Sequence, residues 1–414
     1  MVVGSMIGAG IFVLPSSLAP FGWTAAAAWL VVGLGVLTVG QVIAALTIRF
    51  PQEPGILAIC GDSLGLMAGR IMAWSYWVSL IGSAAVLSTV TSEYALFLLA
   101  FDAPKGTAAL IGVAVLLAVA AINLSGVTSA GRFQVATTLL KLMPMVLVIG
   151  IILALAIAAP STYTASPAEP LRADRLMSAM GVTFFTMLGF ESAGMITQRV
   201  RDPERNVFRA TVYGLGLVLA IYLLVSMGIV LATPPQVLAG QGAPLAAFTS
   251  AHAGGWAASA LALFAAISAI GALNAVVLLM GEVPFTLVRD GQLPEWIAPQ
   301  AAHGIGKRPM VACVLVTVAL VVVSPFSLGA QVLDFLLRLT TSVSIFFYAG
   351  ICLAALKRGV QPGLAVAGTV FCAVVLYGTG TEASLLGLAL MAAGVLFHFV
   401  VGGRTRPRGT VPAE

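Results

Sequence analysis

Apolar and polar positions along this chain do not alternate; long apolar runs are parted by short polar or Pro/Gly-rich breaks. About twelve such runs can be counted, centred near residues 8, 35, 85, 115, 147, 186, 220, 270, 317, 345, 369 and 391. Many reach the roughly 20 residues that an α-helix needs to cross a bilayer. The period-two pattern of a membrane barrel is missing. The pattern therefore predicts an all-α membrane protein of about 12 transmembrane helices. The first run is the exception, because only 14 residues precede Pro15. Either that helix is re-entrant or the coding start lies upstream of Met1, and we expect the second.

Composition agrees with a lipid solvent. Hydrophobic residues make up 60% of the 414 and charged residues 8%, against about a quarter charged in soluble domains. The net charge of +5 is spread over short loops, which predicts no nucleic-acid partner. Twelve crossings put both termini on one side, and that side collects fifteen of the 20 Lys and Arg residues against three opposite. By the positive-inside rule both termini are expected in the cytoplasm, with the chain multi-pass in a bacterial cytoplasmic membrane. Cys313, Cys352 and Cys372 lie within apolar runs and Cys60 stands alone, so neither metal nor cofactor is expected. No basic n-region and cleavage site precede the first run, so no signal peptide is read.

Two runs carry glycine clusters with polar company. The first is G-S-M-I-G-A-G-I-F-V-L-P, Gly4 to Pro15, and the other is T-F-F-T-M-L-G-F-E-S-A-G, Thr183 to Gly194. Glycine lowers helix stability and admits backbone conformations that other residues avoid. Such a cluster either interrupts a helix or lets two helices approach closely. The intramembrane carboxylate of Glu191 favours interruption, since a charge in lipid is costly and marks function by default. The two runs are the first and sixth. Interrupted helices at matching positions of two halves are the mark of an inverted-repeat transporter, with substrate bound where the breaks meet.

The chain resembles the amino acid-polyamine-organocation superfamily of permeases, most closely bacterial basic amino acid/polyamine antiporters of the arginine/agmatine exchanger type. The likeness rests on the two glycine runs, on D-P-E-R-N-V-F-R-A from Asp202, Y-W-V-S-L-I-G-S from Tyr76, R-D-G-Q-L-P from Arg289, and S-V-S-I-F from Ser342. It implies a LeuT-type 5+5 inverted repeat with broken helices 1 and 6 in a single domain over 1–402. Repeat one would cover about 1–160, repeat two about 175–357, and two appended helices about 361–402, followed by a cytoplasmic tail over 403–414. Ser5, Met6, Gly8, Ala9 and Gly10 would line the substrate, with Phe185, Leu188, Gly189 and Val276 opposite. Backbone amides of the first break would hold the amino acid's carboxylate. Glu191 would hold the sixth helix's unwound backbone or assist gating.

Lys141 sits in T-T-L-L-K-L-M-P-M, eight uncharged residues beyond Arg132. It is either a snorkelling side chain or a buried functional one, and the long apolar run that follows favours burial. The resemblance implies that its ammonium takes the place of a sodium ion. Glu282 is a further coupling or gating candidate, while Asp334 and Arg338 are spaced for a structural i, i+4 pair.

The resemblance is incomplete at Val276, where the exchanger type has an aromatic wall. That gap, with no carboxylate assigned to a distal cation, leads to an expectation of neutral or apolar amino acids, moved by alternating access as proton symporter or exchanger. The alternatives are a basic amino acid/polyamine antiporter and, from another class, a membrane amino acid sensor. No H-E-x-x-H, G-x-S-x-G or paired intramembrane aspartates suggest an enzyme. The expected partners are an amino acid, a proton and the bilayer, in a monomer or homodimer.

Overall fold

The computed structural model describes residues 6–8, 10–53, 55–99, 104, 106–125, 130–165, 169–191, 203–289, 293–299, 306–328 and 331–402. The expected tail over 403–414 lies outside these, as do Ser5 and Ala9. The described chain is helical from end to end. In order, the helices are α1 (Gly10–Leu18), α2 (Trp23–Arg49), α3 (Ile56–Leu64), α4 (Leu66–Leu99), α5 (Thr107–Leu124), α6 (Ala130–Ala158), α7 (Ser161–Ala165) and α8 (Ala173–Thr183). They continue as α9 (Pro203–Ala232), α10 (Pro235–Leu238), α11 (Pro244–Ala253), α12 (Gly255–Arg289), α13 (Lys307–Leu328), α14 (Val332–Lys357), α15 (Pro362–Gly378) and α16 (Thr381–Gly402).

Among the described residues, eight helices are long and apolar enough to cross a membrane: α2, α4, α5, α6, α9, α12, α14 and α16. The segment Gly10–Phe21 and helix α15 are apolar but shorter. Each of the twelve expected centres falls in a helix or at one of the two glycine runs. The apolar residues that build these helices do two jobs. The most apolar stretch of α14 is 78% buried, whereas those of α5, α6 and α16 are 28% buried. Helix α14 is thus a core element packed on α4, α15 and α16, and the other three turn most of their surface outward.

With no water in lipid, backbone and side-chain polar groups must find partners inside the protein. Ser and Thr hydroxyls do so locally: Thr47, Thr183, Thr317 and Thr340 each donate to a carbonyl four residues earlier. Long-range bonds then tie helices together. Trp29 Nε1 on α2 donates to Ser226 Oγ on α9 at 2.6 Å, and Asn123 Nδ2 on α5 donates to Asn274 Oδ1 on α12 at 2.8 Å.

The spacing that predicts a pair between Asp334 and Arg338 gives one, at 2.7 Å. The guanidinium does more than that spacing implies. It also donates to Ser178 Oγ at 3.1 Å and the Gly378 carbonyl at 3.1 Å, linking the start of α14 to α8 and α15.

Candidate functional site

The first glycine run is interrupted. Met6 is helical, Ile7 and Gly8 are not, and α1 begins at Gly10. Gly8 N–H donates to the Met6 carbonyl at 2.7 Å, a two-residue closure that no α-helix makes. The same carbonyl accepts Tyr222 Oη of α9 at 2.8 Å, so the freed backbone is held from outside the segment. Tyr94 Oη of α4 holds the other side of the break through the Phe12 carbonyl at 2.7 Å.

The second glycine run is interrupted too. Helix α8 stops at Thr183, tightens into a 3-10 turn over Phe184–Met187, and opens at Leu188 with ψ 145°. Gly189 follows with φ +99°, a conformation that side chains disfavour. Glu191 Oε2 accepts the Gly189 N–H at 3.0 Å and Tyr348 Oη of α14 at 2.8 Å. Glu191 is 6% exposed, so both bonds are made away from solvent. Phe190 stacks on the Tyr348 ring at 4.8 Å, and Phe184 meets it edge-on at 5.7 Å.

The breaks touch one another. A methyl group on Gly10 would lie 3.3 Å from Phe185 Cδ1 and 3.3 Å from Thr186 Cα, with Thr186 Cγ2 at 2.7 Å, so the backbones approach only because residue 10 has no side chain. Gly8 faces Ala272 of α12, whose Cβ is 3.7 Å from the same imagined methyl. Of the residues expected at the substrate, Gly10 and Phe185 are therefore adjacent, and Met6, Gly8, Leu188 and Gly189 belong to the two breaks. Val276 lies on α12, one turn beyond Ala272. Gly8, Leu188, Gly189 and Val276 keep partial exposure amid buried helices, while Phe185 is buried.

Lys141 is buried on α6 at 3% exposure, and α6 packs on α9, α11 and α12. Glu282 on α12 remains partly exposed. Tyr76 of α4 lies within electrostatic reach of both Glu191 and Glu282. Tyr76 is half-buried, and its ring leans on Phe347 at 5.0 Å. Sequence reasoning passed over Tyr348, Tyr222 and Asn274. Tyr76 opens one of the matched stretches, and that was its only signal.

The family model described as amino acid permease matches residues 1–402. An uncharacterised transporter of Mycobacterium tuberculosis (strain ATCC 25618 / H37Rv) is 28% identical over 419 residues, covering 96% of this chain and 88% of that protein. A cadaverine/lysine antiporter of Escherichia coli (strain K12) is 26% identical over 398 residues, covering 92% and 88%. An arginine/ornithine antiporter of Pseudomonas aeruginosa is 30% identical over 319 residues, covering 74% of this chain and 65% of that protein.

Proposed function

The chain belongs to the amino acid permease family, and on that premise we propose that it exchanges basic amino acids and their amine relatives across a bacterial cytoplasmic membrane by alternating access. The observation that carries this reading is the contact between the two helix breaks at Gly10, Phe185 and Thr186. The first four N–H groups of α1 have no acceptor within the helix, so they offer an anion site for the substrate carboxylate. Carbonyls loosened at Leu188 and Gly189 suit the ammonium. In this reading the chain comprises repeats of about 1–160 and 175–357 within twelve crossings, with α15 and α16 appended and both termini cytoplasmic.

Basic rather than neutral substrates are supported by the names of two relatives, a cadaverine/lysine and an arginine/ornithine antiporter. The expectation of neutral side chains rested on Val276 and on the lack of a carboxylate for a distal cation. The second ground weakens with Glu282 partly exposed near Tyr76. Val276 still favours a neutral substrate as the second reading, since an apolar side chain gains about 0.8 kcal/mol per buried methylene.

Lys141 acts in this reading as a fixed cation in place of sodium, and its ammonium can pass a proton during the cycle. The test is uptake by purified protein in liposomes, with labelled arginine, lysine, ornithine, cadaverine and leucine, in sodium and in choline buffers. The basic compounds should enter at least ten times faster than leucine, equally in both buffers, and Lys141→Ala should lose most of the flux while staying folded. Leucine-selective uptake would overturn the substrate class; binding without flux for every compound would favour the sensor.

A further inference from the structure

Glu191 and Glu282 both lie within electrostatic reach of Tyr76 but differ in what their oxygens do. Glu191 accepts two hydrogen bonds. Among the described residues Glu282 makes no hydrogen bond and no ion pair, and its side chain keeps partial exposure. A carboxylate left so among apolar helices is costly unless a cation or a proton comes to it.

Its surroundings are built rather than loose. Pro284 has no N–H, so the Met280 carbonyl four residues earlier lacks its helical donor. The Trp77 indole fills that vacancy at 3.1 Å, fixing α4 against α12 beside Glu282. The preceding residue of α4, Tyr76, is half-buried and lies within electrostatic reach of both carboxylates. At 1.5 Å per residue, Glu282 lies about 9 Å along α12 from Val276, on the Arg289 side. The N–H groups at the start of α1 attract an anion and Glu282 attracts a cation, and a basic amino acid carries both charges at opposite ends.

We propose that Glu282 is a specificity-determining residue that receives the distal ammonium or guanidinium of a basic substrate on the Arg289 side of the helix breaks. This rests on the reading of the site as a basic amino acid exchanger. A neutral amino acid finds no partner at Glu282 and leaves the carboxylate uncompensated.

Equilibrium binding of arginine, ornithine and leucine to the purified full chain, unmodified and as Glu282→Gln and Glu282→Asp, tests the claim. Glu282→Gln should weaken arginine and ornithine at least ten-fold without weakening leucine, and Glu282→Asp should recover part of the loss. Unchanged arginine affinity in Glu282→Gln overturns the claim, as does an equal loss for arginine and leucine, which would mark a packing role. Retained arginine affinity with a lost pH dependence of exchange would make Glu282 a proton site and also overturn it. An unmodified chain that binds leucine and not arginine fails the underlying exchanger reading, visibly before any variant is made, and takes this proposal with it.

Discussion

The break after α8 and the stretch of α12 around Glu282 each place a carboxylate among membrane helices, and they treat it in opposite ways. At the break, Glu191 is enclosed by its own chain and Tyr348, with both bonds between 2.8 and 3.0 Å. On α12, the Trp77 indole donates to the Met280 carbonyl freed by Pro284. Among the described residues Glu282 has neither a hydrogen bond nor an ion pair. A carboxylate satisfied by backbone and tyrosine holds a shape, and one without partners waits for something mobile.

The largest separation between the two should come from removing each charge. Glu191→Leu removes the acceptor of the Gly189 N–H and strands the Tyr348 hydroxyl in a buried site, the latter alone at about 1–3 kcal/mol. Thermal unfolding in detergent should register that loss, while Glu282→Leu should leave the melting temperature unchanged or higher. Equal destabilisation by both substitutions would break the comparison. Next in size is Gly10→Val, which drives a branched side chain into Phe185 and Thr186. Overpacking there should cost about 1–3 kcal/mol and abolish uptake, since the breaks can no longer touch. Normal flux from that variant would show that the contact at Gly10 is dispensable.

How much of this was legible beforehand differs between the two regions. Glycine clustering and the lone carboxylate pointed to both breaks, because interruption is a local property of the chain. The partner of Glu191 was not legible: Tyr348 is 157 residues away, and no spacing joins them. Arg338 repeats the lesson. Its i, i+4 bond to Asp334 followed from helix geometry, whereas the bonds to Ser178 and Gly378 depend on how three helices cross. For Glu282 the sequence supplied the charge and the helix but not the absence of a partner among the described residues, which only packing reveals. The roles expected of Ser5 and Ala9 lie outside the described residues.

The smallest effect lies outside the membrane. In the loop between α2 and α3, Glu53 is held above the usual carboxyl range by burial and by Asp62, partly offset by Arg358. Arg358 is itself occupied by Ser63 Oγ at 2.8 Å and by the Phe50 ring at 5.0 Å. A carboxyl raised in the folded state binds more protons there than when unfolded. Its contribution is present below the unfolded value of 4.5 and is lost as pH rises through the folded value. Glu53→Gln should therefore flatten a shallow decline in stability above pH 4.5; an unchanged slope would assign it elsewhere.

The two touching helix breaks are proposed to form an exchange site for basic amino acids. The most direct measurement is uptake of labelled arginine into proteoliposomes with no ion gradient, preloaded with unlabelled lysine or left empty. Rapid accumulation is expected in the loaded vesicles, at least ten-fold over the empty ones. Equal uptake in both, or none in either, would contradict it.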